Sequence, residues 1–127
     1  MTPKELIESV FAAFQRGDIP YIVKLSAPDA VWKQSALLPW GGEYRGPEGA
    51  GQFFALLDRA METTAFDVHE VIQVGAEVFA FGYYEAKGRS TGKKGGSRWA
   101  FRWRVEGGQI AAYEAYLDTA ALLAALA

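Results

Sequence analysis

His69 is the only histidine in the chain. With Asp67 beside it on an alternating stretch, it has the makings of an acid–base pair. The plainer reading is a satisfied edge or surface residue. Glu85 is the carboxylate in the most unusual setting. In Phe79-Ala80-Phe81-Gly82-Tyr83-Tyr84-Glu85 the odd positions carry rings up to the carboxylate, and alternate residues of a strand share a face. A carboxylate among rings is costly without a hydrogen-bonding partner or water. An apolar setting also raises its pKa towards neutrality, as a general acid or base requires. Tyr83, Tyr113 and Gln34 are suited to polarise a carbonyl or hold a hydroxyl. Against this, the strand end lies near Lys87 and Arg89, where water can reach Glu85. Glu85, His69 and Tyr83 are the candidate catalytic residues.

Other chemistries are excluded by composition. The 127 residues contain no cysteine, so there is no thiolate nucleophile, disulfide framework or Cys-based zinc site. No His, Asp or Glu cluster has metal-ligand spacing, so no metal is expected, and no cofactor is called for. Thirteen basic and 15 acidic residues leave a formal charge of -2, which predicts neither nucleic acid nor an anionic membrane as a partner. No apolar run approaches the roughly 20 residues of a membrane helix, and the chain opens on a polar helix instead of a signal-peptide core. A cytoplasmic location is the expectation.

One domain, residues 1–127, accommodates this length. Thr2-Pro3-Lys4-Glu5 reads as a capping box with proline at the first helical position. Leu6, Ile7, Val10, Phe11 and Phe14 follow at helical spacing. Gly17 ends that helix and Asp18 caps a short second one. A strand is predicted over 30–35 and a helix from Pro47 to about Met61. The period then changes: 66–74, 78–87, 97–105 and 109–117 read as antiparallel strands, followed by a short Ala- and Leu-rich helix. Glu106-Gly107-Gly108 predicts a type I turn with a glycine bulge, pairing Val105 with Gln109. In that register Trp103 faces Ala111, Phe101 faces Tyr113 and Trp99 faces Ala115. Helices ahead of an antiparallel sheet define the α+β class.

Arg98-Trp99-Ala100-Phe101-Arg102-Trp103-Arg104 places rings and cations on opposite faces. The rings either fill the core or line a cavity beneath the helices. The Leu37–Tyr44 stretch, with Trp40 and Tyr44, suits a pocket mouth. On the other face Arg98, Arg102 and Arg104 stand opposite Glu114, Tyr116 and Ile110. The choices there are a solvated surface or a homodimer interface.

These landmarks resemble one family. Phe11-Ala-Ala-Phe-Gln-Arg-Gly-Asp18 and Leu25-Ser-Ala-Pro-Asp-Ala-Val-Trp32 look like the opening helices and first strand of SnoaL-like proteins of the nuclear-transport-factor-2-like superfamily. Leu38-Pro-Trp40 through Tyr44-Arg-Gly-Pro-Glu48 resembles their loop into the third helix. Gly107-Gly-Gln-Ile110 and Tyr113-Glu-Ala-Tyr-Leu-Asp-Thr-Ala120 resemble the final strand and tail. The resemblance spans nearly the whole chain. It implies a cone-shaped, curved, mixed but mostly antiparallel sheet wrapped by helices (a cystatin-like arrangement), a deep pocket, and frequent dimerisation through the sheet. Family members include polyketide cyclases, ketosteroid isomerases, limonene epoxide hydrolase, dehydratases and non-catalytic binders, so fold alone does not give function.

Matched by position, the ketosteroid isomerase tyrosine and two aspartates fall on Val10, Gln34 and Trp99, which rules out that mechanism. The epoxide hydrolase aspartate falls on Ala115, and its Arg-x-Asp near Tyr83 to Ala86 is absent. The same matching turns Trp32, Gln34, Phe53, Phe81, Tyr83, Glu85, Trp99, Phe101, Trp103, Tyr113 and Leu117 inward, with Trp40 and Tyr44 at the loop. Such a lining suits a hydrophobic or aromatic metabolite. Three functions stay open: an isomerase, cyclase, dehydratase or hydrolase working by acid–base chemistry; a non-catalytic carrier; or an interaction module using the sheet face.

Overall fold

The computed structural model describes Met1–Ala127. The chain begins with α1 (Pro3–Gln15) and α2 (Ile19–Leu25), then β1 (Ser26–Gln34), β2 (Gly42–Arg45) and α3 (Gly46–Ala60). Four long strands follow: β3 (Met61–Val74), β4 (Glu77–Gly88), β5 (Lys94–Glu106) and β6 (Gln109–Leu117), before α4 (Thr119–Ala124). The Thr2–Glu5 capping box forms, with the Thr2 hydroxyl accepting from the Glu5 N–H at 3.1 Å and Glu5 Oε1 accepting from the Thr2 N–H at 2.8 Å. Asp18 caps α2 through the Tyr21 N–H. Gly17, at φ 76°, supplies the left-handed residue that separates the two helices. No helix is long and apolar enough to cross a membrane.

The strands form one open, curved, mixed sheet in the order β2-β1-β6-β5-β4-β3. Its neighbours are antiparallel except β1 and β6, which run parallel with Trp32 beside Tyr113. Register shifts in β3 and β6 and along β1 bend the strands. The helices cover the concave face. Phe11 of α1 lies 5.6 Å from Trp99 and 6.0 Å from Trp103, centroid to centroid, and Phe53 of α3 lies 5.9 Å from Tyr113. This is the α+β arrangement expected, with two additions. Residues 42–45 are an edge strand rather than loop, and β3 begins at Met61, five residues before the predicted start.

Two details of pairing differ from expectation. Gly107 and Gly108 both have positive φ (58° and 73°), so the hairpin closes on two residues and pairs Glu106 with Gln109. A bulge at Ala111 then moves Arg104 opposite Ala112. Consequently Trp103 faces Tyr113, Phe101 faces Ala115 and Trp99 faces Leu117.

The second difference is the facing of β4. Its inward residues are Val78, Ala80 and Gly82, which pair with Trp103, Phe101 and Trp99 of β5, and Tyr84 and Ala86, which pair with Ser97 and Gly95; Phe79, Phe81, Tyr83 and Glu85 point to the outer side. Space decides this. Trp99 lies over Gly82, where an added Cβ would stand 2.3 Å from its Cζ2 and 1.9 Å from the Asp67 carbonyl oxygen. Large rings directly opposite one another cannot both fill that face, so β4 turns small residues in against the three β5 rings and its one inward ring, Tyr84, opposite Ser97.

The same substitution at two glycines should therefore have opposite effects. Gly82→Ala forces backbone and indole apart and should destabilise by about 1–3 kcal/mol. Gly51→Ala, in α3 with nothing within 4 Å of its Cβ position, should stabilise by about 0.5–1 kcal/mol. Urea unfolding of the two variants beside the parent checks both signs.

Candidate functional site

Between the helices and the inner sheet face lies a narrow cavity. Its volume is about 60 Å³. That is room for a few waters, so a ring-bearing molecule enters only if the surrounding side chains and helices part to widen the slot. Strands supply Trp32, Gln34, Phe66, Tyr84, Phe101, Trp103, Tyr113 and Leu117. The helices supply Val10, Phe11, Phe14, Ile22, Phe53, Phe54, Leu57 and Leu122, and the loop after β1 supplies Trp40. Of the 17 lining residues 16 are hydrophobic, leaving Gln34 as the one amide and no carboxylate, imidazole, ammonium or guanidinium in the wall.

The polar groups that do reach this interior sit together. Trp32 and Tyr113 are cross-strand neighbours with centroids 5.1 Å apart, and Trp103 lies 4.5 Å from Tyr113. The Tyr113 hydroxyl accepts a long hydrogen bond from Gln34 Nε2 at 3.5 Å. Burial pushes this hydroxyl far above the usual tyrosine range, and the Gln34 contact opposes the rise only in part. Gln34 Oε1 and the indole nitrogens of Trp99 and Trp103 are buried without partners. By contrast, the Trp32 indole donates to Ser26 Oγ at 3.0 Å, which fixes that ring. Tyr84 hydrogen-bonds Thr63 Oγ1 at 3.2 Å, and burial raises its pKa as well.

Phe14, Phe54, Leu57 and Phe66 line both the slot and an adjoining surface cleft. That cleft opens about 590 Å³ by the same measure and is edged by Gln15, Asp58, Glu62, Thr63, Thr64 and Arg89. Arg89 pairs with Asp58 at 3.2 Å across it. The interior thus adjoins water at the ends of α1 and α3. Of the Trp40–Tyr44 segment, expected at the mouth, Trp40 is a wall, 1% exposed, and Tyr44 does not border the slot. The Tyr44 hydroxyl is held by the carbonyls of Trp40 (3.0 Å) and Gly41 (2.9 Å).

Trp32, Gln34, Trp40, Phe53, Phe101, Trp103, Tyr113 and Leu117 border the slot. Trp99 is buried at its back, nearly parallel to Phe66 (5.1 Å) and to Phe101 (4.1 Å), and does not border it. Phe81, Tyr83 and Glu85 are on the opposite side of the sheet, because β4 presents its small residues inward. Glu85 there accepts from Thr64 Oγ1 at 2.8 Å and lies 3.7 Å from Lys94 Nζ, so it is a half-buried carboxylate with its partners on the outer side. His69 is exposed at the register shift between Val68 and Glu70, in a shallow outer cleft with Phe81, Arg98 and Tyr116. The structure does not bring the three catalytic candidates to the cavity. The helical lining, from Val10 to Leu57, carries no signal beyond the apolar stripes that any core helix shows.

Raised tyrosine pKa values carry a stability consequence. Where the folded value exceeds the unfolded one, near 10, the folded state holds protons that the unfolded state releases. Tyr113 and Tyr84 should therefore make stability fall as pH climbs past about 10, with no effect below it. Denaturant unfolding at a series of alkaline pH values should show that slope, and Tyr113→Phe should reduce it.

A family model described as a SnoaL-like domain matches residues 7–113. No curated protein matches. Among solved structures, a nuclear-transport-factor-2-like protein of Burkholderia thailandensis E264 is 28% identical, with a TM-score of 0.93 over 100% of this chain and 98% of that one. TerC, co-crystallised with polyporic acid, is 24% identical with a TM-score of 0.83 over 98% of each chain. A candidate polyketide cyclase of Pseudomonas putida KT2440 is 20% identical with a TM-score of 0.85, covering 100% and 99%. With the family match running from the first helix to Tyr113 on the last strand, the chain belongs to the SnoaL-like domain family of the nuclear-transport-factor-2-like superfamily.

Proposed function

We propose that this chain binds a flat, hydrophobic small molecule in the slot between its helices and the inner sheet face, acting in the cytoplasm as a binding or carrier protein. The observation that carries this reading is the wall: rings and aliphatic side chains with a single amide and no ionised group. Such a wall favours an apolar body and penalises charge. General acid–base turnover requires a group within hydrogen-bond reach of the reacting atom. Glu85, Tyr83 and His69 are separated from the slot by the sheet itself. TerC's co-crystallisation with polyporic acid supports a small organic ligand for this fold.

An enzymatic reading, of the isomerase, cyclase, dehydratase or hydrolase kind, is favoured by one feature. Gln34 and Tyr113 stand together in the apolar wall, where a donor strengthens by exclusion of water and can polarise a carbonyl. The likeness to a candidate polyketide cyclase is compatible with it. Tyr113 would then be a hydrogen-bond donor, since burial holds its proton.

For the outer sheet face we propose a second copy of the chain as cover. Phe81 (40% exposed) and Tyr116 (57% exposed) lie open there, among Arg98, Arg102 and Arg104 and the carboxylates Glu77 and Glu114. A two-fold contact sets one copy's arginines against the other's carboxylates.

Two experiments follow. In calorimetric titrations with ethylbenzene, Leu57→Trp at the junction of slot and cleft should weaken binding at least about tenfold, while Glu85→Gln should bind like the parent. No binding to the parent, or loss in Glu85→Gln, overturns the slot reading. In sedimentation, the parent should run at twice the 13.9 kDa chain mass, and Arg102→Glu should run at the chain mass. A monomeric parent overturns the proposed interface.

A further inference from the structure

The polar corner of the slot narrows what the ligand carries, an inference that rests on the reading of the slot as a ligand site. Gln34 Oε1 is buried and receives no proton. The Tyr113 hydroxyl accepts from Gln34 Nε2 at 3.5 Å, and its own proton has no acceptor in the protein. Trp103, in the same wall, has a buried indole N–H that is also unpaired. Buried polar groups in folded proteins are nearly always satisfied, by protein, by water or by a bound molecule. An acceptor and donors left open together in an otherwise apolar slot therefore describe the missing group.

We propose that the Gln34–Tyr113 corner is a recognition site for a neutral hydroxyl on the ring of a flat apolar ligand, of the phenol or enol class. The ligand oxygen accepts the Tyr113 hydroxyl proton, and the ligand O–H donates to Gln34 Oε1. One hydroxyl answers both groups. A carbonyl would answer Tyr113 or Trp103 and leave Gln34 Oε1 unpaired. An N–H would answer Gln34 and leave Tyr113. A carboxylate or phenolate would enter a wall with no cation in it, and a buried unpaired charge is heavily penalised. Burial keeps the Tyr113 proton in place for donation.

Three probes of similar outline separate these cases on the intact protein: ethylbenzene, 4-ethylphenol and 4-ethylbenzoate, titrated calorimetrically. We expect 4-ethylphenol to bind about tenfold tighter than ethylbenzene, the worth of a well-placed hydrogen bond, and 4-ethylbenzoate to bind more weakly than either. Gln34→Leu and Tyr113→Phe should each bring the ratio of phenol to ethylbenzene affinity close to one. Equal affinities in the parent overturn the hydroxyl site while leaving the apolar slot intact, and mean that the corner keeps its own water. A tenfold ratio that survives in both variants also overturns it. If no probe binds the parent, the slot reading fails and this inference fails with it.

Discussion

The room above β4 governs this structure. Trp99, Phe101 and Trp103 stand on the inner face of β5, and Phe66, Trp99 and Phe101 form a stack with interplanar angles of 6° and 11° between successive rings. That stack can lie flat only because Val78, Ala80 and Gly82 oppose it on β4, and Gly82 in particular leaves the volume Trp99 occupies. Once the small residues turn in, the period of two sends Phe79, Phe81, Tyr83 and Glu85 out. The same steric requirement that builds the interior therefore gives the outer face its rings. It also removes from the interior the only carboxylate that strand alternation had placed there.

The order of the helices and the long strands, the first capping box, the class and the family were legible in the sequence, because they depend on local spacing and on landmarks spread along the chain; the short edge strand β2, with no alternation of its own to mark it, was not. The inward rings of β5 were legible for the same reason: one strand's alternation is a local property. What could not be read was relative placement. Within β4 both alternating sets contain apolar residues, Val78 and Ala80 against Phe79 and Phe81, so hydrophobicity alone leaves the facing undecided. Volume complementarity with a neighbouring strand decides it, and that is not a property of either strand by itself. The β5–β6 register was missed by a comparable margin. Two glycines at positive φ and a bulge at Ala111 exchange one hairpin geometry for another without altering the pattern of residues. Trp40 and Tyr44 were legible as aromatic residues near the interior, but that Trp40 is wall and Tyr44 a brace behind it follows from two carbonyl contacts to one hydroxyl.

The slot combines two opposed properties. Its apolar wall gains from excluding water, yet Gln34, Tyr113 and Trp103 lose their hydration there without full repayment in hydrogen bonds. The contrast with Trp32 is instructive: its indole, in the same wall, is tied to Ser26, and that pair belongs to the scaffold. Satisfied and unsatisfied groups thus divide the wall: Trp32 is tied into the scaffold, while Gln34 Oε1 and the Trp103 indole N–H have no partner in the chain.

The parallel pairing of β1 with β6 has a consequence for how the chain acquires this shape. β3, β4 and β5 form a meander whose contacts are local, but β1 has only the four-residue β2 and the final strand as neighbours. During synthesis the three helices and β1 emerge with no sheet to cover, and the seam that joins them to the meander closes only after Gln109–Leu117 has been made. Their apolar stripes wait in solution, or against a chaperone, for the last strand. Closing a connection this long adds an entropic cost that is met late.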